Sequence, residues 1–274
     1  MPCKQAILGI LIDSLSLCEI LTRIRPLIYI ATIFYLILLA LVWLLPLEFT
    51  ACSKNSFWCS TAYWLTESAG KYGTLIIVGV AGVLYTIRLH SFSDKLKAFA
   101  RSTVALLLLL AAFAYLNEHV TKKVLKYPRP SHTYMISQSG QRVDIDSIYR
   151  LEKTQRQEFF RELINDSPAL VKTVDRKVLD HWVDEAGYSF PSGHSFNAFL
   201  LATILSFSIF HTRFKKLFFI PFLWAVSIGV SRVAIGAHSQ LDVSAGALMG
   251  VAVAMAFLYF DTTKNLFIQK NERL

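Results

Sequence analysis

Three short stretches of this chain hold residue types that could carry out phosphoryl chemistry: Lys122-x6-Arg129-Pro130, Pro191-Ser192-Gly193-His194 and Ser231-Arg232-x5-His238-x3-Asp242. Lys122, Arg129 and Arg232 would make an anion cradle, and two guanidiniums can hold phosphate oxygens in bidentate fashion. Ser192 and Gly193 open an apolar helical run, so their backbone N–H groups and the helix dipole favour an anion there as well. His238 and Asp242 stand four apart, one helical turn, which lets the carboxylate accept from one ring nitrogen and leaves the other free to attack phosphorus. His194 remains to protonate the leaving oxygen and then to activate water. Together these groups would hydrolyse a phosphomonoester without a metal.

Metal binding by His194, His238 and Asp242 is the competing reading. Three nearby cations would repel a divalent ion, and no further His, Cys or carboxylate stands at ligand spacing, so no metal and no cofactor are expected. His90, His119, His132, His181 and His211 lack a matching partner pattern and read as interfacial or structural. Snorkelling accounts for a lone Lys123 or Lys126 at a helix end. It does not account for Arg232 and Asp242, which lie within or against apolar runs and need each other or an anionic ligand.

The elements that must position these residues are set by composition. Of the 274 residues, 54% are hydrophobic and only 17% charged, and mean hydropathy is +0.45, which excludes disordered, collagenous and disulfide-scaffold classes. Apolar residues collect into runs near membrane-spanning length: Leu27 to Leu47, Thr74 to Leu89, Ala98 to Leu116, Phe190 to Phe210, Leu217 to Ile235 and Leu241 to Phe260. The expected fold is an all-α polytopic membrane protein, a six-helix transmembrane bundle forming one domain over residues 1–274. Residues 117–189 are expected to form a small helical periplasmic cap, with Glu152 to Leu170 as its clearest helix. Gly79, Gly82, Gly229, Gly246 and Gly250 read as small residues at helix contacts.

Sidedness follows from Lys and Arg. Residues 1–26, the second and fourth connections and the tail carry thirteen basic residues against five acidic ones, whereas the segments on the other side are nearly balanced. The positive-inside rule then makes both termini cytoplasmic and brings all three motifs to the periplasmic face. The +9 net charge reports topology and anionic lipid rather than nucleic acid. Residues 1–26 begin with the apolar Ala6 to Leu17, expected to lie along the interface rather than to act as a signal peptide. Phe57, Trp58, Tyr63 and Trp64 suit the headgroup layer, and Cys52 and Cys59 beside them could pair in an oxidising compartment or stay free. Oligomeric state has no signal in the sequence.

The three motifs, in order and without departure, resemble the signature motifs of the type 2 phosphatidic acid phosphatase superfamily. Within it the likeness is to the bacterial phosphatidylglycerophosphatase B branch, running from Trp64-Leu65-Thr66-Glu67 through Val143-Asp144 and His181-Trp182 to Gly187-Tyr188-Ser189-Phe190. The resemblance implies His238 as a nucleophile forming a phosphohistidine, Asp242 as its orienting partner and His194 as acid and then base. It implies that Lys122, Arg129, Ser192, Gly193 and Arg232 bind phosphate. It further implies a bacterial inner-membrane enzyme acting on a phospholipid such as phosphatidylglycerol phosphate or phosphatidic acid, with undecaprenyl pyrophosphate, a prenyl pyrophosphate of cell-wall lipid recycling, as the alternative substrate. A transporter using the cations as an anion relay would need polar residues through the whole bundle, and a lipid-binding protein would not need His194, His238 and Asp242 together.

Overall fold

The computed structural model describes residues 14–47, 56–87, 89–210 and 212–264, and every regular element among them is helical. Five helical segments are long and apolar enough to cross a membrane: Ile24–Leu44, Phe92–Leu125, Gly193–Phe210, Lys215–Ala234 and Gln240–Phe260. They correspond to α1 (Ser14–Leu44), α4 (Phe92–Leu116) with its continuation through a π-helical turn into α5 (Lys122–Leu125), α11 (Gly193–Phe210), α12 (Ile220–Ala234) with the 3-10 turn that precedes it, and α13 (Gln240–Lys264).

The second expected span departs from its sequence reading. Instead of one helix from Thr74 to Leu89, α3 covers Lys71–Thr86 and is preceded by α2 (Phe57–Ser68), the two meeting at 55°. Sixteen residues rise only about 24 Å, short of a hydrocarbon core of roughly 30 Å, so a sixth span exists only if the bent pair counts as one. Ser14 to Leu17, expected in a separate interfacial helix, continue directly into α1. Ala6 to Asp13, Cys3, Cys52 and His211 lie outside the described residues. Cys59 is disulfide-bonded.

Burial orders the bundle. Two-thirds of the apolar window of α11 is covered by protein, against 17% of that of α4, so α11 is the axis and α4 turns most of its surface to lipid. α1, α12 and α13 pack through Leu38, Phe222, Val243 and Ala247, while α3, α4 and α11 meet at Val78, Leu106, Phe196 and Leu200. Gly246 and Gly250 do lie at a helix crossing. A Cβ at either would come within 2.4 Å of a backbone oxygen of α11, that of Ser192 or of Phe196 respectively. Gly82 and Gly229 are likewise crowded by Phe99 and Leu38, but Gly79 has no neighbour within 4 Å and makes no such contact.

The segment between α5 and α11 folds into five short helices over one end of the bundle: α6 (Pro130–Ser139), α7 (Ile145–Tyr149), α8 (Lys153–Asn165), α9 (Pro168–Thr173) and α10 (Arg176–Asp184). A capping box between Glu152 and Gln155 starts α8, which buries Phe160, Leu163 and Ile164. α10 buries Val178, Leu179, Trp182 and Val183 on one face. Trp182 Nε1 donates to the Ile235 carbonyl at 2.7 Å, so the cap is bolted to the loop between α12 and α13. Phe57, Trp58 and Trp64 project exposed from α2, the arrangement expected of an interfacial aromatic belt.

Candidate active site

Each motif is held by its own backbone device. Arg129 is extended before Pro130, which occupies the first turn of α6 as its missing N–H and fixed φ allow. Its amide donates to Tyr149 Oη, which also meets His132 Nδ1 at 2.6 Å, and Ser131 N donates to the Gly236 carbonyl. His132 Nε2 donates to Trp182 O at 2.9 Å, so this buried imidazole is structural, as expected, and burial, then Arg129, push its pKa down to about 3. Ser192 caps α11, its Oγ accepting from Ser195 N. Its own amide donates to the Asp242 carbonyl at 3.0 Å, so of the two amides expected to face an anion, that of Ser192 is already committed.

The third motif explains its spacing. α12 ends at Ala234, Gly236 takes φ +71°, and the amides of Ala237 and His238 both return to the Arg232 carbonyl. Ser239 then starts α13 with a reciprocal cap: its amide donates to Asp242 Oδ2 at 2.7 Å and its Oγ accepts from Asp242 N. Asp242 thus caps the start of α13, with the same Oδ2 turned towards His238.

These turns bring His238, Asp242, Arg129, Arg232 and His194 together. His238 Nδ1 lies 3.5 Å from Asp242 Oδ2, and its Nε2 lies 3.3 Å from Arg129 Nη1. Arg129 also donates from Nε to the Gly187 carbonyl and from Nη1 to the Ala237 carbonyl. His238 is 2% exposed, and burial, then Arg129, hold its pKa down to about 3 against the opposing pull of Asp242. The imidazole is neutral, and its Nε2, facing a guanidinium that can only donate, carries the lone pair. Lys122 is buried beside this group but pairs with Glu118 across a π-helical turn, Asn117–Thr121. Asn117 Nδ2 donates to the Pro191 carbonyl, which ties that turn to the second motif.

Sequence reasoning missed a carboxylate. Glu185 accepts from Arg129 Nη1 at 2.7 Å and from Arg232 Nη2, and its other oxygen lies 3.6 Å from both His181 Nε2 and His194 Nδ1. Burial pushes its carboxyl up, but Arg232 and Arg129 hold it well below the usual carboxylate range. His181, read as interfacial or structural, also faces Arg232 Nη1 at 2.8 Å. The available signal was position: Glu185 precedes the Gly187-Tyr188-Ser189-Phe190 stretch that leads into the second motif, and His181 is one helical turn before Glu185. Among the described residues no group of three or more His, Cys, Asp or Glu side chains is arranged to hold a metal ion.

The chain is 24% identical over 204 residues to phosphatidylglycerophosphatase B of Escherichia coli K12, an alignment covering 73% of this chain and 75% of that protein. It is 32% identical over 111 residues to phosphatidylglycerophosphatase B of Bacillus subtilis, covering 34% of this chain and 55% of that one. It is 35% identical over 94 residues to the bacitracin transport permease protein BcrC of Bacillus licheniformis, covering 34% and 42%. Residues 102–266, which contain all three motifs and the helices that carry them, match the model of the PAP2 superfamily, and the chain belongs to that superfamily.

Proposed function

We propose that this protein is a metal-independent lipid phosphate phosphatase working through a phosphohistidine. The observation that carries the reading is His238, buried with Nδ1 towards Asp242 and Nε2 towards Arg129. A substrate phosphate seated among Arg129, Arg232, Lys122 and the amide of Gly193 would present phosphorus to Nε2. The N–P bond forms as the bond to the lipid oxygen breaks, and His194 gives that oxygen its proton. His194 then takes a proton from water, the water oxygen bonds to phosphorus, and the N–P bond breaks to return His238 and release inorganic phosphate. The cations stabilise charge on the pentacoordinate transition state, the task a divalent ion performs elsewhere.

Phosphatidylglycerol phosphate and phosphatidic acid are the proposed substrates, from the names of two relatives and the apolar bundle in which a lipid tail would stay; undecaprenyl pyrophosphate is the alternative at the same site. The permease name of a third relative favours a transport reading. A transport path would need polar groups along α11, whose buried residues beyond Ser195 are mostly Phe, Leu, Ala and Ile. The basic connections support an inner-membrane protein with cytoplasmic termini and a periplasmic site under a cap of residues 117–189. The test is phosphate release from these three lipids by the detergent-purified protein, with and without EDTA, beside His238→Ala. Release that survives EDTA and disappears in His238→Ala is expected. Loss on chelation with recovery on adding Mg²⁺ would refute the mechanism.

A further inference from the structure

Arg232 is held by residues outside the three motifs. α2 ends in Thr66-Glu67-Ser68, and these three side chains reach two other helices. Thr66 Oγ1 and Ser231 Oγ share a buried hydrogen bond of 2.8 Å, Glu67 Oε1 lies 3.2 Å from His181 Nδ1, and Ser68 Oγ accepts from Trp224 Nε1 at 3.0 Å. The bend between α2 and α3 places this last turn of α2 against both α12 and α10.

The hydrogen bonds determine the state of His181. A guanidinium nitrogen can only donate, so His181 Nε2, 2.8 Å from Arg232 Nη1, is an acceptor. The imidazole is therefore neutral with its proton on Nδ1, the atom that faces Glu67. Arg232 is fully buried, its Nη2 donates to Glu185, and its Nε has no hydrogen-bond partner among the described residues. A buried guanidinium with an unused N–H is a donor awaiting an acceptor.

We propose that Glu67 and His181 are positioning residues that set the orientation of Arg232 for the transferring phosphoryl group. The carboxylate fixes the Nδ1–H tautomer, and the Nε2 lone pair then draws Nη1 to itself and leaves the Nε edge to meet a phosphoryl oxygen. Without the carboxylate, His181 can adopt the Nε2–H tautomer, which sets one N–H against another and turns the guanidinium away. This inference rests on the phosphatase reading above. It adds a relay from α2, the helix bearing the exposed aromatic residues, to the phosphate cradle.

The experiment uses the full-length protein in detergent with a soluble short-chain phosphatidic acid, and measures kcat, KM and inhibition by orthovanadate and by inorganic phosphate. Glu67→Gln is nearly isosteric at a side chain 40% exposed, so the fold should tolerate it. It is expected to lower kcat about tenfold, the equivalent of one charge-assisted hydrogen bond, with KM within about twofold. Vanadate, which mimics the pentacoordinate state, should lose about the same factor, and inorganic phosphate less. His181→Ala should lose more, and His181→Gln, whose amide oxygen can accept from Arg232, should recover most of that loss. A purely structural tie would reduce the active fraction and leave the vanadate inhibition constant unchanged, and that result would overturn the proposal, as would His181→Gln no better than His181→Ala. A wild-type protein inert towards every lipid phosphate tried would overturn the phosphatase reading first, a failure visible before any substitution is made.

Discussion

Glu185→Gln tests the electrostatics of the site most directly, because it removes one negative charge while keeping the side chain's shape. Glu185 accepts two charge-assisted hydrogen bonds, from Arg129 and Arg232. Each is worth roughly 1.5–3 kcal/mol net, and a neutral acceptor gives about half, so the amide forfeits about 1.5–3 kcal/mol over the two. At about 2–4 °C per kcal/mol for a chain of this size, the melting temperature should drop by roughly 3–12 °C. A phosphate entering the cradle competes with the same carboxylate for the same two guanidiniums. Removing that competitor should tighten inhibition by inorganic phosphate about tenfold to a hundredfold, the same free energy read as an affinity. The variant should thus be less stable when empty and should gain more stability from added phosphate than the wild type does. Thermal unfolding in detergent across a phosphate titration, with inhibition constants from the phosphate-release assay, measures both effects. If Glu185→Gln bound phosphate no more tightly than the wild type, Glu185 would be a fixed wall of the cradle rather than a competitor, and the reasoning would fail.

His238→Ala should abolish turnover, whereas Asp242→Asn should slow it by about 10²–10⁴ without ending it, since Asp242 orients the ring and caps α13. Labelled phosphate trapped on His194 instead of His238 would reverse their roles. His132 and His238 stay neutral in the folded protein down to about pH 3 but would take up protons near 6.5 once exposed. Their contribution to stability is complete above about pH 6.5 and is lost as pH falls towards 3, which thermal unfolding as a function of pH will show; a flat profile over that window contradicts it. Single cysteines at Ser137→Cys in the cap and Thr212→Cys between α11 and α12, in a background without the native four, should differ in intact cells. An impermeant maleimide should label the first and spare the second, and the reverse pattern inverts the proposed topology.

The clustering of Arg129, His194, Arg232, His238 and Asp242 was legible in the chain as three motifs because local backbone geometry sets the spacing within them. Pro130 opening α6, the Ser192 cap, the left-handed turn at Gly236 and the Ser239–Asp242 cap all act over fewer than eight residues. Hydrophobic run length gave five spans for a similar reason, since a helix in lipid must satisfy its backbone within itself and so writes its length into composition. The second span was legible only in part: α3 alone is too short, and a sixth span needs the bent pair with α2, whose bend no run length records.

Contacts across long separations had no such signature. Glu185 reaches Arg129 and Arg232 from 56 and 47 residues away, and Glu67 reaches His181 across more than a hundred. No periodicity links such pairs, and acids on a charged cap look like solvated surface until the cap is docked. The same holds for the commitment of the Ser192 amide to Asp242 and for which glycines meet a backbone. The sequence alone determined the ionisable groups, the helices and the order of the motifs, because each depends on near neighbours along the chain. Only the tertiary structure decided which carboxylate neutralises the arginines and which imidazole orients one of them, because buried charge finds its partner through packing in space.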